Sequence, residues 1–465
     1  MWACALLAAP AIVAAAEEFC LDGEFDLGAR YQGLAPAAGE LYPTRWCVIS
    51  DEASGRVFFA GSGRSNPDMH GDWSVAYLPP DVVRIVNRST PPDVEFRPVD
   101  VAAEARRIRR LDPLRLIDEW QRSSGRIDGL DTDVIEVNGD VRPARVRAMA
   151  DLPLRGRVPV VWEWDWRNPE RPAATLLVDG DVVMRATGRW RTLSDDSPWQ
   201  RTHGPEPVAV PGDNWPARVS MHLEKLADGV YLVQGVRTGF QHLVIDTEEG
   251  LVVGDAPAGW VELHHLPPSD LVPGLGISGL SERLIDFLAE TLPGRPLRAV
   301  VLTHHHDDHA GGARAFAAAG ASIYAARESA MFLATALNRE SMPADALSRA
   351  GHPAAVSPVD EALTVGNDDG TGNRARILPI GAGPHSDAML GLWAVDRGIF
   401  FVSDVHVPRS DADAPSPHRA ATECWFAAWA TTNLPGDVRV ANSHSAPLTP
   451  VSRLKRYLDS DLCRS

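Results

Sequence analysis

The segment Thr303-His304-His305-His306-Asp307-Asp308-His309-Ala310-Gly311-Gly312 directly follows the apolar run 297–302, Leu-Arg-Ala-Val-Val-Leu. That run is typical of a buried strand. The segment after it carries three imidazoles and a carboxylate close together, at His304, His306, Asp308 and His309. Zinc and similar divalent metals prefer these ligands, and burying so many polar groups is costly unless something binds them. Gly311 and Gly312 would let the backbone turn sharply into a helix. The pattern predicts a metal site.

The length and charge of the chain limit its class. At 465 residues the chain is long enough for two domains, and its 45% hydrophobic and 23% charged residues are typical of a globular protein. Its formal net charge of −17 excludes nucleic acid as an expected partner, because binding to phosphate backbones needs a basic surface.

The N-terminus predicts export. Residues 1–16 are almost wholly apolar and end in Ala-Ala-Ala before Glu17, the pattern of a cleaved signal peptide, although a positive n-region is missing. The mature protein would then be periplasmic or secreted. No other segment approaches the roughly 20 apolar residues of a membrane span.

The cysteines fit the same compartment. Removal of residues 1–16 leaves four of them, Cys20, Cys47, Cys424 and Cys463. An even number suits an oxidising environment. The pairs Cys20–Cys47 and Cys424–Cys463 would keep each disulfide within one domain, but the sequence leaves the other two connectivities and four free thiols open.

The chain divides into two blocks of different pattern. Residues 17–205 contain short β-type runs and one clearly helical stretch, 111–120, and predict a mostly antiparallel β domain. The proline- and glycine-rich residues 206–216 read as a linker. In residues 217–465 strands alternate with helical stretches such as 281–292 and 313–319, which predicts an α/β layered domain.

Three tryptophans of the first block share one face of a predicted strand. Trp162, Trp164 and Trp166 alternate with Glu163 and Asp165, and side chains of a strand alternate between its two faces. General burial tendencies favour a packing role in the core. A platform for a sugar or an acyl chain is the alternative.

Three further candidate ligands come later in the chain. His385 lies in a glycine-rich turn, Asp404 follows the run 399–403, and His444 follows the run 438–443. All three are predicted at the carboxyl ends of strands, where α/β proteins build their sites.

Taken together, these motifs resemble those of the metallo-β-lactamase fold superfamily of metal-dependent hydrolases, over residues 217–455. The resemblance rests on an Asp after a strand, the motif His-x-His-x-Asp-His, and three later ligands in the family's order; the matching positions are Asp255, His304, His306, Asp308, His309, His385, Asp404 and His444. It implies an αββα sandwich with two divalent metal ions, zinc above all, at one edge of the sheets.

The resemblance also implies roles for these residues. His304, His306 and His385 would hold one metal, and Asp308, His309 and His444 would hold the other. Asp404 would bridge the two metals, and Asp255 would fix the His-rich turn by hydrogen bonds. His305 and Asp307 alternate with the ligands and are expected to point elsewhere.

The implied reaction is hydrolysis by a metal-bridging hydroxide, with Asp308 accepting a proton from the attacking water. Many true metallo-β-lactamases carry Cys where this chain has Asp404, so the resemblance favours a small-molecule ester, lactone, thioester or amide as substrate. A β-lactam hydrolase, a mononuclear iron enzyme similar to persulfide dioxygenases and a carrier with a vestigial metal domain are the alternatives.

Two loops are expected to shape the substrate pocket. Residues 256–279 carry His264 and His265, and residues 405–422 carry His406. Long loops in compact domains are often binding loops, and these three histidines are the candidate substrate contacts. The substrate and the oligomeric state stay open.

Overall fold

A computed structural model describes most of the chain. The described residues are 17–25, 42–51, 56–64, 70–78, 82–87, 93–98, 106, 108–152, 154, 156–197, 221–236, 240–258, 277–341, 344–366, 372–407, 414–415, 419–444 and 448–464. The predicted signal peptide (1–16) and linker (206–216) lie outside them. The domain boundaries at 205 and 217 therefore stay predictions. Among the described residues, no helix has the length and apolarity needed to cross a membrane.

The N-terminal part is an antiparallel sheet, as expected. Its eleven strands are β1 (Glu17–Phe25), β2 (Tyr42–Asp51), β3 (Arg56–Arg64), β4 (His70–Leu78), β5 (Val82–Asn87), β6 (Asp93–Pro98), β7 (Asp131–Val137), β8 (Asp140–Leu152), β9 (Gly156–Asp165), β10 (Ala173–Val178) and β11 (Asp181–Thr192). Their order in the sheet is β6-β5-β4-β3-β2-β1-β11-β10-β9-β8-β7. Helix α1 (Pro113–Arg122) lies against β8 and begins with a cap, since the Asp112 side chain accepts a hydrogen bond from Leu114 N.

The predicted tryptophan face belongs to the core of this part. Trp162 and Trp164 on β9 and Trp166 directly after it are all buried, and the rings of Trp162 and Trp164 stack at 5.8 Å. Leu116 of α1 belongs to the same apolar cluster. Because the indoles are covered by the domain's own side chains, the packing interpretation is confirmed, and an open aromatic platform at these positions is wrong.

The C-terminal part contains two further sheets. The first has β12 (His222–Ala227), β13 (Val230–Gln234), β14 (Gln241–Thr247), β15 (Gly250–Gly254), β16 (Leu297–Val301), β17 (Ser322–Ala326) and β18 (Val356–Val359). The second has β19 (Leu363–Val365), β20 (Ala375–Gly381), β21 (Met389–Ala394), β22 (Ile399–Phe401), β23 (Arg439–Ala441) and β24 (Thr449–Pro450). In both sheets the strands pair in chain order.

Helices accompany both of these sheets. They are α2 (Gly279–Thr291), α3 (Asp307–Ala310), α4 (Ala313–Ala318), α5 (Arg327–Leu337), α6 (Ala346–Ala350), α7 (Ala420–Asn433), α8 (Val451–Leu458) and α9 (Asp461–Arg464). Single 3-10 turns span Val395–Arg397 and Ser403–Val405.

Three apolar layers show how these elements stack. Between the sheets, side chains of the first, such as Val252, meet side chains of the second, such as Phe401. On the outer face of the first sheet, Val300 packs with residues of α2, α4 and α5. On the outer face of the second sheet, Phe400 packs with residues of α7 and α8, including Phe426. The predicted αββα sandwich is confirmed.

Strand direction brings the candidate ligands to one edge of the sandwich. β15 and β16 run parallel to each other, and so do β22 and β23. β20 has the same direction as β22, because both are antiparallel to β21. Within each sheet, the segments after these strands therefore leave at one edge. A hydrogen bond from Leu390 N to Thr303 O, 2.7 Å long, joins the two sheets at this edge.

Both of the disulfides considered above are formed. Cys20 and Cys47 are directly opposite each other on β1 and β2, and Cys424 of α7 is bonded to Cys463 of α9. Each bond lies within one part of the chain.

Candidate metal centre

The seven predicted ligands converge into two groups at the sheet edge. His304, His306, His385 and Asp404 form the first group, and Asp308, His309, Asp404 and His444 form the second. Within each group the potential ligand atoms all lie within 4.8 Å of one another. Asp404 belongs to both groups, so the arrangement offers two adjacent cation sites with one shared carboxylate.

The two oxygens of Asp404 face different groups. Oδ1 lies 2.7 Å from His444 Nε2 and 3.1 Å from His309 Nε2. Oδ2 lies 3.3 Å from His385 Nε2 and 4.0 Å from His304 Nε2. The carboxylate thus spans the space between the two groups.

Two histidines of the first group, His304 and His306, are held in the neutral form that metals require. His304 and His306 have pKa values well below the usual value, first because burial disfavours the charged form and then because neighbouring imidazoles repel it. Nε2 of His304 lies 3.2 Å from Nε2 of His385. Three nitrogens directed at one small space, two of them on imidazoles held neutral, fit a divalent cation.

Asp255 orients His309 of the second group through a contact with its Nδ1. Its Oδ2 lies 2.9 Å from His309 Nδ1, and its Oδ1 accepts hydrogen bonds from the amide and the hydroxyl of Thr303, both 2.8 Å long. These contacts place Nε2 of His309 on the side of Asp404. The geometry matches the predicted orienting role of Asp255, which is fully buried.

Negative charge dominates the second group. Burial lowers the pKa of His309, but the carboxylates of Asp308, Asp404 and Asp255 together raise it well above its usual value. Nε2 of His309 is buried and makes no hydrogen bond, although it faces Asp404 and lies 3.3 Å from Asp308 Oδ2. A cation placed among these carboxylates would balance their charge and give this nitrogen a partner, so the residues fit a metal here as well.

The glycines after the His-rich turn serve a different purpose from the predicted one. Gly311 and Gly312 have φ values of −63° and −92°, so neither needs the left-handed backbone that favours glycine. A Cβ on Gly312 would lie 2.2 Å from both Pro257 O and Ser281 Oγ. Gly312 therefore allows α2 to approach the turn closely, and the expectation of a glycine-dependent sharp turn is wrong.

The two residues that alternate with the ligands lie outside both groups. His305 is buried, with its ring 6.2 Å from that of Phe332 and its Nδ1 3.5 Å from Ser386 Oγ. Asp307 is also buried, in the first turn of α3. Neither belongs to the two groups of potential ligands, in agreement with the expectation that they point elsewhere.

The candidate substrate contacts are placed differently or lie outside the described residues. His406 is fully buried, and its ring centre is 5.9 Å from that of Phe426 and 5.8 Å from that of Tyr457. This surrounding favours a packing role for His406 over the expected contact with substrate. His264 and His265 lie outside the described residues, as do 259–276, 408–413 and 416–418 of the two predicted pocket loops.

Several residues beside the ligands carried no signal in the sequence. Ser403 and Ser443 lie against Asp404, and the ring of Phe240 meets that of His444 edge-on at 4.6 Å. Gln241 binds the His444 segment twice, from its amide to Ser443 O and from Nε2 to Asn442 O, each at 2.8 Å. Only their place next to a motif could have indicated them.

Residues 273–444, which contain all seven ligands of the two groups, match the family model described as the metallo-beta-lactamase superfamily. Over these residues the chain is similar to the metallo-β-lactamase superfamily. Asp255 precedes the matched residues, and its position behind His309 comes from the structure alone. A comparison with curated protein sequences found no match.

Solved structures of metallo-β-lactamases are similar to the chain at low identity. A metallo-beta-lactamase from Pontibacter korlensis is 18% identical and has a TM-score of 0.37, with 53% of this chain and 100% of that protein covered. One from Hirschia baltica is 18% identical, with a TM-score of 0.34 and coverage of 51% and 95%. The DIM-1 metallo-beta-lactamase is 17% identical, with a TM-score of 0.34 and coverage of 52% and 96%.

Proposed function

We propose that the protein is a binuclear metal-dependent hydrolase of a small-molecule ester, lactone, thioester or amide. The observation that carries this proposal is the position of Asp404, whose two oxygens face two separate groups of nitrogen and oxygen ligands. A single shared carboxylate between two such groups is the arrangement that a metal pair needs.

The proposed assignment of the ligands follows from the two groups. His304, His306 and His385 would hold one divalent cation. Asp308, His309 and His444 would hold the other, and Asp404 would contact both. With ligands that are mostly imidazole and carboxylate, zinc is the metal we propose. When bound, the pair would supply a water of lowered pKa and a Lewis acid for the substrate's carbonyl oxygen.

Asp308 is the residue we propose for proton transfer. Its side chain keeps 20% of its surface exposed, whereas that of Asp255 is fully buried. A group that exchanges protons with water during turnover must reach solvent, which Asp308 does and Asp255 does not. Asp255 would instead hold the His309 ring in place.

The substrate class rests on the chemistry of the bridging position and on charge. An aspartate at 404 leaves the centre with oxygen and nitrogen ligands alone. The net charge of −17 disfavours a polyanion such as nucleic acid and supports a small neutral or cationic substrate. His264 and His265 stay candidates for substrate contact.

The two disulfides support our proposal that the protein acts in the periplasm or outside the cell.

Metal analysis together with a substrate panel tests this function. We expect two zinc equivalents per chain and turnover of at least one ester, lactone or thioester, abolished by a chelator and restored by zinc. His304→Ala should remove turnover, whereas His352→Ala, a change at an exposed histidine outside both groups, should not.

Three outcomes would contradict the proposal. One iron per chain with oxygen-dependent activity would favour a redox enzyme, and turnover of β-lactams alone would make the protein a β-lactamase. Full activity of His304→Ala would exclude the metal pair from the reaction.

A further inference from the structure

Two buried serines lie against the shared carboxylate of Asp404. Ser443 Oγ donates a hydrogen bond to Asp404 Oδ1 at 2.9 Å, and Ser403 Oγ lies 3.2 Å from the same oxygen. The two hydroxyls are 3.3 Å apart, and both serines are fully buried. None of the roles assigned above uses these hydroxyls.

The backbone at Ser403 has an unusual conformation. Its φ is +61°, in the left-handed region that a residue other than glycine seldom adopts. Such conformations persist where the surroundings fix them, often at functional sites. Here the conformation places the Ser403 hydroxyl beside Asp404 Oδ1 and 3.0 Å from His309 Nδ1.

Ser443 is fixed from a different direction. It follows β23, the parallel neighbour of β22, and its carbonyl accepts the amide of Gln241 at 2.8 Å. The segments after the neighbouring strands β22 and β23 therefore place two hydroxyls beside the same oxygen, Oδ1 of Asp404.

We propose that Ser403 and Ser443 are positioning residues that fix the rotation of the Asp404 carboxylate, so that Oδ1 faces the second ligand group and Oδ2 faces the first. Rotation about the last bond of an aspartate side chain is soft. Because both serine hydroxyls lie against Oδ1, they make the two oxygens inequivalent and hold the carboxylate across both groups. This inference rests on the proposed metal pair.

Metal titration of serine variants tests the inference without any substrate. Zinc binding is measured by competition with a chromophoric chelator on the full chain, wild type and variants. We expect Ser443→Ala to weaken the binding of the zinc ion at the second ligand group about 10- to 100-fold. The loss of a residue that orients a metal ligand typically has an effect of this size. Ser443→Thr, which keeps a hydroxyl, should restore most of that affinity.

Two variants at position 403 separate the hydroxyl from the backbone. Ser403→Gly removes the hydroxyl and suits a φ of +61°, whereas Ser403→Ala removes the hydroxyl and keeps the Cβ. We expect both variants to weaken the binding of the zinc ion at the second ligand group. Ser329→Ala is the matched control, because Ser329 is equally buried but donates to Ala326 O, away from the ligands.

The results distinguish the inference from the proposed function. If wild type binds two zinc ions and all serine variants bind them equally well, the positioning role is wrong and the metal pair stands. If the variants lower only the melting temperature of the metal-free protein, the serines act on folding alone and the inference is overturned. If wild type binds fewer than two ions, both proposals fail.

Discussion

Asp255 and His309 form a fully buried pair in which the carboxylate Oδ2 lies 2.9 Å from the imidazole Nδ1. Asp255 follows β15, whereas His309 lies in α3 after β16. The pair therefore connects the ends of two parallel strands and fixes which ring nitrogen of His309 faces the other ligands. A carboxylate behind a histidine ligand sets both the orientation of the ring and its basicity.

Replacement of Asp255 should weaken the second metal site more than the first. Asp255 has φ +67°, which asparagine tolerates well, so Asp255→Asn preserves the backbone and removes the charge. We expect the affinity for one of the two zinc ions to fall about 10- to 100-fold in chelator competition. Asp228→Asn, at an exposed aspartate paired with Lys225, is the control and should bind zinc as wild type does. Equal weakening of both ions would contradict a selective role.

Ligand variants should differ in the number of metals they lose. His385 belongs to the first group only, and His444 belongs to the second only. We expect His385→Ala and His444→Ala each to bind about one zinc tightly, and Asp404→Ala to lose tight binding at both sites, because each site shares that carboxylate. Metal content after dialysis measures the difference. If Asp404→Ala kept one tight ion, as the histidine variants do, Asp404 would not be shared.

The sequence predicted the main architecture and the ligands for identifiable reasons. The apolar run 297–302 marked β16 within one residue of its end, and the helix predicted at 281–292 spans Gly279–Thr291. Candidate ligands stood directly after strands, and strands of one direction end at one edge of a sheet. That rule places Asp404 and His444 at one edge of the second sheet, and the resemblance to the superfamily supplied the rest of the ligand set.

The features that were missed depend on contacts between distant segments. A serine has no pattern of its own, so the hydroxyls of Ser403 and Ser443 became visible only with the position of Asp404. The burial of His406 follows from packing by Phe426 of α7 and Tyr457 of α8. Neither spacing nor composition contains such information.

The turn that carries His385 depends on Gly383, which lies close against the indole ring of Trp425. A Cβ at Gly383 would lie 2.7 Å from the Trp425 ring, and Gly383 N donates to Ser386 O at 2.9 Å, closing the turn around His385. We expect Gly383→Ala to move this turn and to weaken zinc binding at the first site about tenfold, on the scale of other changes that displace a ligand's support.

A second variant makes this expectation specific. Trp425→Ala opens space, so Gly383→Ala/Trp425→Ala should recover part of the affinity that Gly383→Ala loses. Gly436→Ala is the matched control, because a Cβ there would approach only Ser452 Cβ, at 4.0 Å. The expectation fails if Gly383→Ala binds zinc normally or if the double variant is weaker than both single variants combined.

A buried ion pair between Arg314 and Asp345 should make the stability of the sandwich depend on acid pH. Arg314 Nη2 donates to Asp345 Oδ1 at 2.8 Å, and Asp345 also accepts from Ser348 N and Ser278 Oγ. Burial raises the pKa of Asp345, but the hydrogen bonds from Arg314 and Ser348 outweigh it and hold the pKa well below its usual value. The carboxylate therefore stabilises the fold above about pH 4, its unfolded pKa, and this stabilisation is lost as pH falls further.

Asp345→Asn should consequently lower the free energy of unfolding at pH 7 by about 3–5 kcal/mol, because it leaves the Arg314 charge buried without a partner. The difference from wild type should shrink as pH falls below about 4, because there the unfolded chain takes up a proton at Asp345 that the folded state excludes. Urea unfolding of the metal-free protein from pH 3 to 7 measures this. Asp360→Asn removes an ion pair with Arg327 whose side chains are more than half exposed, and should cost no more than about 1 kcal/mol. If the loss of unfolding free energy in Asp345→Asn stayed constant with pH, the stabilisation by Asp345 would come from the shape of its side chain and not from its charge.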